Sequence, residues 1–171
     1  KMKGKEPGIQ LTPLNTITGE KHFAVTYADF PAIPKDVIGK PGKGATYVEK
    51  IMPKLITLRC GEMVGGLSRV VDMTVDYVKQ RVQFGKPISE FQGIQWMFAD
   101  MACEIEAARA VTYQTCNLVD QNDPQKTYMS ACSKLLASDV AMKVTTDALQ
   151  IAGGYGYMTD FPFERMMRDA K

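Results

Sequence analysis

The sequence predicts a mainly α-helical protein, an antiparallel long-helix bundle of the four-helix-bundle type preceded by a few β-strands. Up to about residue 45 the chain is rich in proline, glycine, threonine and short β-type runs. From about residue 46, apolar residues recur at three- and four-residue steps, which is the period of helices. Short turns separate helical stretches of about 30 residues, and long helices joined by short turns pack antiparallel.

The composition is typical of a globular protein with its own core. Of the 171 residues, 45% are apolar and 23% are charged, which argues against disorder and low complexity. The 21 basic side chains nearly balance the 19 acidic ones, so charge gives no reason to expect nucleic acid or an anionic membrane as a partner. No run approaches the roughly 20 apolar residues of a membrane span. We therefore expect a soluble protein.

The cysteines and the single histidine argue against a disulfide scaffold and a metal site. The four cysteines are too sparse for such a scaffold and form no Cys-x-x-Cys pair, so we expect reduced thiols in or near the core. His22 has no second candidate ligand nearby in the sequence. This cysteine usage is typical of an intracellular compartment.

Residues 1–45 are predicted to be the remnant of a β-domain. The run 23–27 favours a strand because aromatic and β-branched residues fit a pleated surface. The run 9–11 predicts a shorter strand that ends before Pro13, since proline cannot donate to a central ladder. Too few strands remain to bury a face of a sheet.

Residues 46–171 are predicted to be a helical domain. The expected helices are 46–80, 91–120, 124–152 and one from near Pro162 onward. We expect Pro53 to bend the first helix, Asp123 to cap the third and Pro124 to be its first residue. The fourth helix is expected to be cut short at Lys171, so that the bundle lacks its last helix and keeps an open apolar groove.

Each long helix carries an apolar stripe that we expect to face the core. In the first helix it is Ile51, Leu55, Leu58, Leu67, Val70, Val71, Val75 and Val78. In the second it is Ile94, Met97, Phe98, Met101, Ile105, Ala108, Val111, Thr115 and Leu118. In the third it is Tyr128, Ala131, Leu135, Val140, Val144, Ala148 and Ile151.

The connection between the first two helices combines a guanidinium, an amide and an aromatic ring. Arg81, Gln83 and Phe84 lie on a turn that Gly85 and Pro87 fix. Arginine can make paired hydrogen bonds to a phosphate, and the next helix begins with free backbone N–H groups. A second interpretation stays open, in which the helix macrodipole favours Arg81 and Phe84 packs into the core.

The connection after the third helix is rich in glycine. A helix cap needs fewer glycines than the three found here, Gly153, Gly154 and Gly156. Without side chains, they permit another backbone or a ligand to approach closely. A tight turn between helices is the alternative.

Together these segments resemble the acyl-CoA dehydrogenase family. The segment 81–88 resembles the family's loop between the first two helices of its C-terminal domain. The family's second signature is longer and is satisfied at every specified position: Gln150, Gly153, Gly154, Gly156, Tyr157, Asp160, Arg165 and Asp169. Upstream, the segment 7–44 resembles the end of the family's middle β-domain.

The resemblance implies a fragment of an FAD-dependent enzyme that removes two hydrogens from Cα and Cβ of an acyl-CoA thioester. In that family a glutamate takes the α-proton while the flavin accepts the β-hydride. The expected glutamate lies beyond Lys171, so no catalytic residue is expected in this chain, which should be inactive alone. A flavin-dependent oxidase or monooxygenase of the same fold, or a non-catalytic helical oligomerisation module, stays open as an alternative.

The resemblance also implies the cofactor contacts and the partners. The cofactor-binding residues would be Arg81, Gln83, Phe84, Gln92, Gln150, Gly153 and Gly154. They would reach FAD held mainly by a neighbouring subunit, so a homodimer or homotetramer is implied. An electron-transfer flavoprotein would be the acceptor, and the location would be a bacterial cytoplasm or a mitochondrial matrix.

Overall fold

The computed structural model describes residues 7–171 and confirms the predicted mainly α-helical fold. In chain order the elements are β1 (Ile9–Leu14), β2 (His22–Tyr27), α1 (Gly44–Gln80), β3 (Val82–Gln83), β4 (Lys86–Pro87), α2 (Gln92–Asp120), α3 (Lys126–Ala152) and α4 (Phe163–Ala170). The chain divides into two compact units between Glu49 and Lys50. That the first unit is the remnant of a larger β-domain stays a prediction. No helix within residues 7–171 is long and apolar enough to cross a membrane.

The first unit contains an antiparallel hairpin of β1 and β2. We expected β1 to stop at Leu11, but the strand continues to Leu14, and Pro13 pairs with Phe23. Both strands of a two-stranded sheet are edge strands, where a proline without an N–H is tolerated.

The core of the second unit lies between α1, α2 and α3. Its buried apolar side chains form one cluster: Val64, Leu67, Val70, Val78, Met101, Ile105, Ala108, Val140, Ala141, Val144, Ala148, Ile151, Ala152 and Phe163. Where α2 meets α3, the hydroxyl oxygens of Thr112 and Ser133 are 3.2 Å apart and buried. Small hydroxyl side chains satisfy each other and let two helix backbones approach closely. This contact joins α2 to the first half of α3.

The predicted stripes are correct near the middle of the helices and wrong at one end of α1 and α3. Ile51, Leu55, Leu58, Tyr128 and Leu135 are each at least 50% exposed. The residues buried in their place are small or polar: Pro53, Thr57, Cys60, Ser130 and Ser133. At the start of α3, close packing against α2 selects side-chain size over hydropathy, and a period of apolar residues cannot detect that choice.

The start of α3 also differs from the prediction. The helix begins at Lys126, and neither Asp123 nor Pro124 belongs to it. Instead, Asp123 Oδ1 accepts a hydrogen bond from the Gln125 N–H at 2.7 Å, which closes an Asx turn before the helix. A bend was predicted at Pro53, and the helix α1 continues through this residue without interruption.

The cysteines are free thiols in different surroundings. Cys60 is buried, and Cys116 and Cys132 are partly buried, but Cys103 is exposed, contrary to the expectation of a core or near-core thiol. Burial, with Asp120 nearby, raises the pKa of the Cys116 thiol and keeps it protonated at neutral pH. Among residues 7–171 no cluster of histidine, cysteine and carboxylate side chains could hold a metal ion.

Candidate functional site

The two connections singled out in the sequence meet at one end of the helical unit. Here α1 and α3 end and α2 begins. Between them lies a cleft of about 620 Å³. Both connections contribute to its lining, which is Tyr77, Arg81, Gln83, Phe84, Ile88, Phe91, Ile94, Ile151, Ala152, Gly153, Gly154, Tyr155 and Met158. The structure therefore brings Arg81, Gln83, Phe84, Gly153 and Gly154 together.

Arg81 places a guanidinium at the cleft, and Asp76 lines the adjoining space. Its backbone is fixed, because its N–H donates to the Tyr77 carbonyl at 2.9 Å and its carbonyl accepts from the Ile88 N–H at 2.8 Å. In the described part of the chain, no carboxylate lies within 4.0 Å of the guanidinium. The side chain instead sits over the ring of Tyr155, with Cζ 5.1 Å from the ring centroid. Its N–H donors can therefore serve an anion in the cleft.

Phe84 is held at the tip of the β3–β4 hairpin in a conformation unusual for a large side chain. Phe84 and Gly85 form the two-residue turn, with φ of 53° and 81°. Positive φ at both turn positions suits asparagine or glycine and strains a phenylalanine. The Phe84 side chain is 94% exposed and makes an edge contact with Phe91, with the ring centroids 6.2 Å apart. The interpretation that Phe84 packs into the core is therefore wrong.

The three glycines after α3 differ in whether backbone conformation or packing requires a glycine. Gly153 ends the helix with a φ of 60°, where a side chain would be strained. A Cβ on Gly156 would lie 2.4 Å from the Leu149 carbonyl oxygen, so packing requires this glycine. At Gly154 the φ is ordinary and a Cβ would meet nothing within 4 Å. Neither conformation nor packing within the chain explains Gly154, which faces open space at the cleft.

Tyr77 lines the cleft and packs against aromatic side chains beside it. The Tyr77 hydroxyl donates to the Ala152 carbonyl at 3.1 Å and joins the last turn of α1 to that of α3. The Tyr77 ring makes edge contacts with Phe161 and Phe163, at centroid distances of 5.9 and 6.1 Å. Sequence reasoning missed Tyr77 and Tyr155. Their positions in the sequence could have identified them, because Tyr77 precedes Arg81 by one helical turn and Tyr155 lies within the glycine run.

Two predicted cofactor residues lie outside the lining of the cleft. Gln92 is the first residue of α2 and is exposed, and Gln150 is exposed in the last turn of α3. The Gln150 carbonyl accepts the N–H of Gly153, and so contributes to the cap of α3. Their contacts with a cofactor stay predictions.

The chemistry of the cleft fits an anionic ligand with a flat ring. It offers a guanidinium without a carboxylate partner, an exposed aromatic ring and a glycine with open space beside it. No aspartate or glutamate is among the described residues that line it. A diphosphate joined to a heterocycle has both features that such a surface binds.

Comparison with known proteins shows the family of the chain. Residues 42–171 match the family described as acyl-CoA dehydrogenase, C-terminal domain. The chain belongs to the acyl-CoA dehydrogenase family. The chain is 46% identical over 169 residues to the protein named probable acyl-CoA dehydrogenase FadE25 of Mycobacterium tuberculosis, covering 97% of this chain and 43% of that protein.

Two solved structures share the fold. Butyryl-CoA dehydrogenase from Megasphaera elsdenii is 34% identical with a TM-score of 0.89, covering 99% of this chain and 45% of that one. A chain solved in a study of the electron transferring flavoprotein of Acidaminococcus fermentans is 35% identical with a TM-score of 0.90, with the same coverage. The chain thus spans less than half the length of these similar proteins.

Proposed function

We propose that this chain is part of an FAD-dependent acyl-CoA dehydrogenase, which oxidises an acyl-CoA thioester between Cα and Cβ. The observation that carries the proposal is the meeting of Arg81 with Gly153 and Gly154 at one cleft. Membership of the acyl-CoA dehydrogenase family supports it, because the same two segments are those that the family resemblance assigns to FAD.

Three residues of the cleft have a role in this proposal. Arg81 donates hydrogen bonds to the diphosphate, and Phe84 offers its exposed ring to the adenine. The open space at Gly154 lets the cofactor lie against the backbone. When bound, the flavin would accept the hydride from the substrate. Since no carboxylate lines this cleft, it binds the cofactor and does not abstract the α-proton.

The partners are part of the same proposal. FAD held mainly by one subunit reaches the cleft of its neighbour, so that a homodimer or homotetramer completes the site. An electron-transferring flavoprotein accepts the electrons. The 35% identical chain from the study of such a flavoprotein supports this partner.

Purification of the whole protein that carries these residues tests the function. We expect bound flavin in its absorbance spectrum, bleaching of that flavin by an acyl-CoA without oxygen, and reduction of a dye acceptor. The free carboxylic acid is the matched control, because it lacks the thioester that acidifies the α-proton. The 171-residue chain alone should give no sustained turnover. Rapid hydrogen peroxide formation in place of dye reduction would favour an oxidase, and a protein that binds no FAD would favour an oligomerisation module.

A further inference from the structure

Tyr155 contacts side chains from both halves of the cleft. Its ring lies under the guanidinium of Arg81, with Cζ 5.1 Å from the ring centroid. The ring also meets the edge of Phe161, at a centroid distance of 5.6 Å. Tyr155 belongs to the turn of Gly153 and Gly154, whereas Arg81 follows α1. This ring therefore links the arginine to the glycine turn, beside the Tyr77 hydrogen bond that joins the ends of α1 and α3.

Contact with a ring face holds a guanidinium without using its hydrogen-bond donors. The attraction arises between the positive charge and the electrons of the ring, and the N–H groups stay free. A carboxylate partner would neutralise the charge and occupy the same donors. In residues 7–171, no carboxylate lies within 4.0 Å of Arg81. Tyr155 therefore orients the Arg81 side chain and leaves its charge and its donors available.

The surroundings of Tyr155 fit a positioning role better than a role in the core. The side chain is 45% exposed, whereas the neighbouring Phe163 is 2% exposed and belongs to the core. The Tyr155 carbonyl accepts the N–H of Met158 at 3.3 Å, which fixes the backbone that carries the ring. A half-exposed ring on a fixed turn contributes little to the core and contacts a charged side chain at the cleft.

We propose that Tyr155 is a positioning residue, whose ring holds the guanidinium of Arg81 beside the Gly153–Gly154 turn with its donors free for the diphosphate of the cofactor. This inference rests on the proposed function. It states that Tyr155 contributes to cofactor binding through Arg81, and that it does so with its ring and not with its hydroxyl.

Substitutions that separate the ring from the hydroxyl test the inference in the full-length protein. We expect Tyr155→Leu to weaken FAD binding about threefold to tenfold, since it removes the contact over the ring. Tyr155→Phe keeps the ring and should bind FAD like the unsubstituted protein. Quenching of FAD fluorescence measures the affinity, and thermal unfolding without FAD checks that each variant is folded. ADP should lose affinity in parallel with FAD, whereas riboflavin, which has no diphosphate, should not.

A double-mutant cycle shows whether Tyr155 acts through Arg81. In an Arg81→Met background, Tyr155→Leu should cause no further loss of FAD affinity. Equal losses in both backgrounds would overturn the inference, and so would a loss that Tyr155→Phe fails to rescue. If Arg81→Met weakens FAD binding but Tyr155→Leu does not, the inference fails and the proposed function stands. If the protein does not bind FAD, or Arg81→Met leaves its affinity unchanged, the proposed cofactor site itself fails.

Discussion

The Tyr77 hydroxyl donates a hydrogen bond to the Ala152 carbonyl at 3.1 Å and so joins the ends of α1 and α3. Ala152 is also the N-cap of the 3₁₀ turn Gly153–Tyr157, so the Tyr77 hydroxyl adds a tertiary bond to a carbonyl that the turn already uses. Tyr77→Phe should keep the ring contacts and remove only this bond. We expect it to lower the free energy of unfolding by about 1 kcal/mol, measured by urea denaturation.

Tyr157→Phe is the matched control, because Tyr157 is 82% exposed. Removal of a hydroxyl that water already solvates should change the free energy of unfolding by less than about 0.5 kcal/mol. Equal effects of the two substitutions would mean that the bond from Tyr77 adds no net stability.

Substitutions of the glycines after α3 should affect stability and cofactor binding separately. Gly156→Ala places a Cβ against the Leu149 carbonyl and should destabilise the protein by about 2 kcal/mol or more. Gly154→Ala meets nothing within the chain and should leave the unfolding midpoint nearly unchanged. Its methyl group would occupy the space given to the cofactor, so we expect FAD binding to weaken at least about tenfold. Denaturation and FAD titration measure the two effects.

Gly61→Ala is the control for the loss of a glycine elsewhere. Gly61 lies in α1, and a Cβ there also meets nothing within 4 Å. Alanine should stabilise the helix by about 0.5–1 kcal/mol and leave FAD binding unchanged. Unaltered FAD affinity in Gly154→Ala would remove the argument that a ligand approaches this glycine.

Local signals in the sequence were enough to single out both connections that line the cleft. The glycine run and the turn at Gly85 and Pro87 depend on backbone conformation, which neighbouring residues determine. The contacts of Tyr77 and Tyr155 connect residues far apart in the chain and leave no local pattern. The strain at Phe84 was also hidden, because the pair Phe84–Gly85 is not a usual turn sequence.

The fold was predictable to a similar extent. The helix period identified α1, α2 and α3, because long stretches of regular spacing leave few alternatives. It failed to identify the buried face at the start of α1 and α3, where Thr57 and Ser133 are buried while Leu55 and Leu135 are exposed. At the start of α3 the buried face depends on how closely α2 approaches, and that is a tertiary property.

The ion pair of Glu164 and Arg168 should make the stability of the folded protein depend on pH. Arg168 Nε donates to Glu164 Oε2 at 2.7 Å, and this bond lowers the pKa of Glu164 from its ordinary value near 4.5. A carboxyl group with a lowered pKa in the folded state stabilises that state above its unfolded pKa. The stabilisation is lost as pH falls through the lower, folded pKa. The stability of the unsubstituted protein should therefore fall more steeply below about pH 4.5 than that of Glu164→Gln.

Thermal unfolding at a series of pH values from ~7 to ~3 measures this difference. Glu62→Gln is the control, because Glu62 and Arg59 form a pair whose side chains are both more than 60% exposed. That variant should follow the unsubstituted protein at every pH, since exposed pairs contribute little. Parallel curves for Glu164→Gln and the unsubstituted protein would contradict the assignment.

Substitution of Phe84 by asparagine should raise stability and weaken cofactor binding. Asparagine suits the positive φ of 53° at this position, so Phe84→Asn should raise the free energy of unfolding by about 0.5–1 kcal/mol. The same change removes the ring proposed to contact the adenine and should weaken FAD binding about tenfold. Urea denaturation and FAD titration test the two halves separately.

Asn122→Phe is the reciprocal control for Phe84→Asn. Asn122 has the same φ of 53° in the turn after α2, at the opposite end of that helix from the cleft. Phenylalanine should cost about 1–2 kcal/mol of stability there and leave FAD binding unchanged. If Asn122→Phe costs nothing, the conformation at Phe84 stores no strain either. If Phe84→Asn is more stable and binds FAD as tightly as before, the exposed ring has no part in cofactor binding, and the strain at the hairpin tip needs another explanation.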